Sequence, residues 1–494
     1  MTKVGHLEYR FSYDTETEEL QMPIPDILPL LLSLQPALSK TNCRQLSHIV
    51  LAIFAMTGRV TQLGIARWAE KGASYRTVQR FFQTDIDWLA VNWLFFQLFH
   101  LMKEDVLLLI GDESVVSKAG KITYGLGRFY SSIFEKPIPG LAFFNLALVS
   151  TNKKKAYPLV SHQVIRTEEE IEQGKKRKEQ KKAKKKEPSE KKPAGRPKGS
   201  KNKNKAEIVL SPELKRILGW GQTVMTLLNK KIKVVYFVLD GHFGNHFARE
   251  MTRQLGLHII SKMRSDAALF FEPTAQEKEA SPNLKYGKRV NYACLPASCR
   301  VSIEEKNGIQ TEIYQLRCWH KDFPELLNVV IIVKTNIALG RVAHVVLFSS
   351  DLNLEALKLI EYYSLRFQIE FTFRDAKQYF GLEDFMCITK TAVDNAANLS
   401  LFMVNVSSYL LHYLRKDYPD AGIQDLKSYY RGRCYASEIL KCLPEFAESI
   451  FRENILKRIP LLGLIHASSK PCKSAETPLE FGLSGEVSTF VTSL

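Results

Sequence analysis

An α/β architecture, a strand-built core interrupted by a β-rich insertion and flanked by helical regions, follows from three features of the sequence. Apolar residues recur at three- and four-residue spacing through 24–101. Two continuous apolar runs, ending at Ile110 and Leu239, are each followed closely by an aspartate, and a stretch without Pro or Gly at 360–380 is long enough for an extended helix. At 494 residues the chain exceeds one hydrophobic core, so two to four structural units are expected. Its 45% hydrophobic and 24% charged residues suit a folded protein rather than a disordered one.

In the first region Ile27, Leu28, Leu31 and Leu32, then Leu46, Val50, Ile53 and Phe54, mark helix faces. A short helix near 64–69 leads through Lys71 and Gly72 to Ser74, placed to cap a second helix running to about Phe82. Two short helices joined by a glycine-containing turn suggest a helix-turn-helix that offers Tyr75, Arg76, Thr77, Gln79 and Arg80 to DNA.

The texture changes at Val106-Leu107-Leu108-Leu109-Ile110, a buried-strand pattern expected to end at Gly111, Asp112 and Glu113. Further strands are expected at 142–150 and 157–160. After them, 16 Lys or Arg against 3 Glu fall between Lys175 and Lys205, so this tract supplies most of the formal net charge of +17. It is too poor in aliphatic residues to offset the entropy of folding and reads as a flexible insertion, 165–207, with a polyanionic partner. Ser211-Pro212-Glu213 opens a helix, and 234–239 is a second buried strand that stops at Asp240. Short, mostly antiparallel strands are expected at 259–264, 289–294, 302–305, 312–317, 329–334 and 342–348, with a turn at Asn307-Gly308. Gly381 terminates the 360–380 helix, helical sequence resumes at 394–414, and a loose tail follows His466.

On the 360–380 helix, Tyr363, Arg366, Glu370 and Lys377 fall within a stripe roughly 60° wide. One face thus presents a phenol, a guanidinium, a carboxylate and an ammonium. Asp112 and Asp240 at strand ends, with Glu370 on a packed helix, make a set of hard oxygen ligands suited to paired Mg²⁺ ions, which stabilise both the entering and leaving oxygens of a phosphoryl transfer. Glu113 is a rival to Asp112, but alternation points the two to opposite faces.

The spacing Tyr363-x₂-Arg366-x₃-Glu370-x₆-Lys377 resembles the Y-(2)-R-(3)-E-(6)-K signature of bacterial insertion-sequence transposases, whose ribonuclease-H-like core carries an Asp-Asp-Glu triad. The resemblance makes Asp112, Asp240 and Glu370 the triad, with Tyr363, Arg366 and Lys377 assisting and Mg²⁺, replaceable by Mn²⁺, as cofactor. The family's β-rich insertion between the second and third acids matches the 130 positions separating Asp240 from Glu370, and 120–127 looks like the segment after its first acid. The basic insertion is a departure from that core.

The resemblance implies metal-dependent cleavage at transposon ends and strand transfer through a 3′-hydroxyl, either directly or by way of a hairpin; Trp319, near the end of a strand in the insertion, is the residue best placed to receive an unstacked base, its ordinary role being packing. A non-transposing nuclease or recombinase, or an inactive DNA-binding derivative, is the alternative. Gly195-Arg196-Pro197-Lys198-Gly199-Ser200 resembles an AT-hook, with Arg196 and Lys198 directed at a minor groove. The expected partners are double-stranded DNA, terminal inverted repeats, target DNA and further copies of the chain in a dimer or larger complex.

The expected divisions are 1–101, helical and DNA-binding; 102–255, the first part of the core; 256–350, the β-rich insertion; 351–415, the catalytic helix and end of the core; and 416–494, helical with the tail. The N-terminus lacks a signal-peptide pattern, no apolar run has membrane-spanning length, and the eight scattered cysteines suit reduced thiols. Cys294, Cys299, Cys318 and His320 are read as ordinary side chains rather than a zinc site. A cytoplasmic, nucleoid-associated protein without a membrane role is expected.

Overall fold

The computed structural model describes residues 24–69, 73–131, 134–172 and 208–441, with isolated positions near 174–179 and 455–461. The basic tract with Arg196 and Lys198, and the tail after His466, lie outside the described residues. Contacts divide the chain into two units, 26–409 and a second containing 410–494.

The larger unit begins with five helices: α1 (Ile27–Leu32), α2 (Lys40–Ala55), α3 (Gln62–Trp68), α4 (Tyr75–Gln83) and α5 (Trp88–Phe99). Side-chain oxygens of Ser39, Thr61, Ser74 and Asp87 accept backbone N–H groups at the starts of α2 to α5, which is why short helices start where they do. α5 is apolar almost all round, and its Trp93 and Phe96 join the core beneath the sheet.

Strands β1 (Leu107–Ser117), β2 (Gly127–Ser131), β3 (Lys136–Ser150) and β4 (Lys155–Gln163) follow. Beyond 207 come α6 (Pro212–Leu228), β5 (Tyr236–Val238), α7 (His246–Gln254) and β6 (His258–Met263). β3 pairs antiparallel with β1 and β4, while β5 runs parallel to both β1 and β6. The order β4-β3-β1-β5-β6, with β3 alone reversed, is the ribonuclease-H-like core. It carries α6 and α7 against one face, where Ile217, Val224 and Met251 meet Leu109, Phe144 and Phe237.

The β-rich segment is not a separate sheet. β7 (Leu269–Phe270), a short helix α8 (Ala275–Ala280), β8 (Arg300–Lys306), β9 (Ile309–His320), β10 (Leu327–Asn336) and β11 (Arg341–Ser349) extend the core sheet outward from β6 in the order β6-β11-β10-β9-β7. One hydrophobic cluster accordingly runs from Leu89 to Phe348. Asn307 and Gly308 sit at φ +52° and +72° between the last β8–β9 pair, the two-residue hairpin their identities foretell.

Several expectations are corrected. β1 does not stop at Asp112, because its ladder with β3 continues from Leu107↔Ser150 to Ser117↔Gly140. The strand expected at 259–264 is β6, parallel to β5 and part of the core. The stretch 289–294 holds only an isolated bridge at Arg289: the Asn291 side chain accepts the N–H of Ala293 and its carbonyl that of Cys294, which curls the chain into a turn. β2 and β7 were not anticipated.

The expected continuous helix at 360–380 is two helices, α9 (Ala356–Leu365) and α10 (Gln368–Tyr379). At the break the N–H groups of Arg366, Phe367, Ile369 and Glu370 each bond the carbonyl three residues back, a local 3₁₀ tightening. Nothing local in the sequence marks it; the Arg366 side chain is held by tertiary partners described below. α11 (Lys390–Asp417) completes the larger unit as far as Tyr409. In the smaller unit α12 (Ile423–Lys441) packs Gly432 against Pro460. Among the described residues no helix is long and apolar enough to cross a membrane.

Candidate active site

Leu109↔Phe237 and Ile110↔Val238 are the pairs joining β1 to β5. Asp112 and Asp240 each lie two residues beyond the last of them, so two parallel strands deliver two carboxylates at matching register. Past Ile110, β1 keeps only β3 as a neighbour, which leaves the Asp112 edge open. Past Val238, the chain turns into a 3₁₀ segment whose cap is Asp240, its Oδ1 accepting the N–H of His242 at 3.1 Å. The Asp240 carbonyl accepts the Ser261 hydroxyl at 2.7 Å and ties this turn to β6.

Arg366 stands at the α9–α10 break, on the opposite side of the sheet from α6. Its Nη1 donates to Asp112 Oδ2 at 3.1 Å and its Nη2 to Glu370 Oε1 at 3.0 Å. The other Asp112 oxygen accepts the N–H of Glu113 at 2.8 Å. Burial pushes the Asp112 carboxyl up to about 6; Arg366 opposes the rise, and Asp240 and Glu370 add to it. The charges of Asp240 and Glu370 thus reach Asp112. Tyr363 is buried beside Arg366, and its hydroxyl is pushed up by that burial.

Lys377 reaches the same strand but not the same carboxylates. Its ammonium donates to the Val115 carbonyl at 2.9 Å and pairs with Glu383 at 3.5 Å. Glu113 points to the α6 face, as alternation requires, where the charges of Glu213 and His242 reach it. His242 Nε2 lies 3.4 Å from Glu213 Oε1, which raises the imidazole above its ordinary value. Spacing alone did not single out this pair, although His242 follows Asp240 by two positions. Lys118, just past β1, was missed too: it donates to the carbonyls of Glu383 and Phe385 and lies 3.5 Å over the Phe385 ring, and burial lowers it to about 8. In the 120–127 segment, the Tyr124 N–H bonds the Ile388 carbonyl, so the loop lies along the chain leaving α10.

The nucleic-acid residues read from sequence are dispersed. On α4, Arg76, Gln79 and Arg80 are exposed while Val78, Phe81 and Phe82 are buried; Thr77 is half-buried and its N–H is taken by Ser74. The turn at 70–72 lies outside the described residues. Trp319 on β9 is half-buried with the Lys285 ammonium 4.2 Å over its ring, so one aromatic face is already covered.

Hard oxygen donors suit Mg²⁺. Yet among the described residues no three His, Cys, Asp or Glu side chains stand close enough to hold one ion. In this arrangement the Arg366 guanidinium bonds both Asp112 and Glu370. The chemistry of the donor set fits such an ion.

Comparison with known proteins agrees with the fold at the level of family. No curated protein matches the sequence. A cryo-EM structure of the piggyBac transposase synaptic complex with hairpin DNA aligns over 94% of this chain and 86% of that chain, at 11% identity and a TM-score of 0.35. The model of the DDE superfamily endonucleases matches residues 33–315, which include Asp112 and Asp240 and stop short of Glu370. Because that match takes in α2 to α5, every strand of the core and more than half of the sequence, the chain belongs to the DDE superfamily of endonucleases.

Proposed function

We propose that the chain is a DNA transposase that cleaves transposon ends and joins the freed 3′-hydroxyl to target DNA. The observation that carries this reading is the matched register of Asp112 and Asp240, with Arg366 linking Asp112 to Glu370. Held by Asp112, Asp240 and Glu370, Mg²⁺ or Mn²⁺ supplies charge neutralisation at the phosphate and activation of the attacking oxygen.

The chain's own residues divide the remaining work. Arg366 and Tyr363, buried beside the carboxylates, orient a backbone phosphate. Lys377, anchored to β1 through Val115, fixes the catalytic helix against the strand that carries Asp112. First a water attacks the phosphodiester at the element end; the released 3′-hydroxyl then attacks a target phosphate, so no covalent protein–DNA intermediate forms.

The exposed face of α4, with Arg76, Gln79 and Arg80, contacts duplex DNA, and Thr77 supports that helix through its cap. Arg196 and Lys198 in the basic tract add affinity at A·T-rich grooves. The strands from β7 to β11, beyond the core strand β6, serve as the insertion that guides a bent strand. For Trp319 to receive a base in a hairpin pathway, Lys285 must leave its ring face. Two ends must be joined in one event, so the working form on DNA is a dimer or larger.

The test supplies purified protein and Mg²⁺ with duplexes carrying the inverted repeats that flank its coding region. Cleavage at the repeat ends followed by joining to a second duplex supports transposition. Cleavage without joining leaves a nuclease, and retention of DNA without cleavage leaves a binding derivative.

A further inference from the structure

Arg366 is an unusual neighbour for a cation site. It is 8% exposed, and its guanidinium is shared between two carboxylates on different elements instead of being paired with one. The Asp112 oxygen it holds, Oδ2, is the one left over after Oδ1 has taken the Glu113 N–H. A divalent ion drawing on Asp112 would therefore approach oxygens that each already accept a hydrogen bond, one of them beside the positive charge of the guanidinium.

The seat is also imperfect. Arg366 Nε is buried without a hydrogen-bond partner among the described residues, unlike Nη1 and Nη2. Its backbone lies at the junction where α9 ends and α10 begins, so a change in its orientation need not unwind a regular helix.

We propose that Arg366 is a resident counter-cation: it holds Asp112 and Glu370 apart from divalent ions until such an ion displaces it, and the displaced guanidinium then turns to a DNA phosphate. The inference rests on the reading of Asp112, Asp240 and Glu370 as the metal-holding set. Its consequence is reciprocal coupling, in which a phosphate that attracts Arg366 raises the affinity for the ion and the ion frees Arg366 for the phosphate. DNA and metal then load together, and the uncomplexed chain is held in a resting state.

The test is Mn²⁺ binding to the full chain without DNA, followed by loss of the free-ion electron paramagnetic resonance signal. Arg366→Gln, which keeps most of the stem and removes the charge, is expected to bind Mn²⁺ about tenfold more tightly than the unsubstituted chain. Asp112→Asn abolishes binding in both backgrounds. Equal or weaker binding in Arg366→Gln, with Asp112→Asn still abolishing it, overturns the proposal and makes Arg366 a support for the carboxylates. Binding indifferent to Asp112→Asn in both backgrounds overturns the proposal together with the carboxylate reading beneath it. A second measurement needs no folded variant: the Arg366 guanidinium resonances of the ¹⁵N-arginine-labelled chain should show hindered rotation without Mg²⁺ and averaging with it. Unchanged hindered rotation at saturating Mg²⁺ contradicts displacement.

Discussion

The guanidinium of Arg366 donates to the carboxylate of Asp112 at 3.1 Å across 254 positions of sequence, joining the junction of two helices to the middle of a strand. Removing the Asp112 charge removes both this bond and a hard ligand. Asp112→Asn, Asp240→Asn and Glu370→Gln are each expected to lower Mg²⁺-dependent cleavage by on the order of a thousandfold, the scale of losing several kcal/mol of transition-state stabilisation. Duplex binding, measured by gel retardation, should persist in all three.

Acid should act through Asp112. Burial raises its carboxyl to about 6 from an ordinary 3.8, so the folded chain takes up a proton in a range where the unfolded chain stays ionised. The sign follows: protonation between these values favours the folded state, while it removes the charge that holds a cation. Cleavage at subsaturating Mg²⁺ should fall about tenfold per pH unit below 6, as one proton competes with the ion. A rate profile flat down to pH 4 contradicts this.

His162 gives a pH response of the opposite sign. Its ring stacks on Trp220 at 4.8 Å and 7°, and burial lowers it to about 4 from 6.5. The unfolded chain binds the proton more readily, so this contribution to stability is complete above pH 6.5 and is lost as pH falls toward 4. His162→Phe keeps the stack and should remove that part of the acid sensitivity, read as a smaller shift in urea midpoint between pH 7 and pH 5.

Features that one or two residues dictate were legible in the sequence. Ser74 caps α4, Ser211-Pro212 opens α6, Asn307-Gly308 turns a hairpin, and Gly381 ends α10 at φ +81°. Features set by distant partners were not. β1 and β3 run on past their apolar runs because each supplies the other's backbone bonds, and the α9–α10 break coincides with a side chain bonded to β1. The stripe of Tyr363, Arg366 and Glu370 was readable as a periodicity; that Arg366 spends its charge on Asp112 and Glu370 was not, because spacing names neighbours along one helix only. Lys377 shows the same limit, since its partners Val115 and Glu383 lie outside that helix.

Gly381 carries a second constraint besides its left-handed backbone. A Cβ there would meet Val60 Cβ at 2.4 Å, where the N-terminal helices rest on the chain leaving α10, and the Val60 N–H bonds Asp384 nearby. Gly381→Ala is expected to destabilise the protein by about 1–3 kcal/mol, through strain and overpacking together. A shifted denaturation midpoint with unchanged slope is the signature; an unshifted midpoint would show that this contact is not maintained.

Arg76 and Arg80 lie on the exposed face of α4, away from Val78 and Phe81. Replacing both with Ala should leave the melting temperature unchanged and weaken duplex binding. If each meets one phosphate, the dependence of log affinity on log salt becomes shallower by about 1.8. An unchanged slope would move DNA contact elsewhere.

We propose that Asp112, Asp240 and Glu370 together hold the paired divalent cations. The most direct test of this claim replaces Mg²⁺ with Fe²⁺ and maps backbone cleavage by locally generated hydroxyl radicals, with DNA present. Cuts should cluster around 112, 240 and 366–370 and fade as Mg²⁺ is added in excess. Cuts confined to other segments, or a pattern that Mg²⁺ does not suppress, would contradict the account.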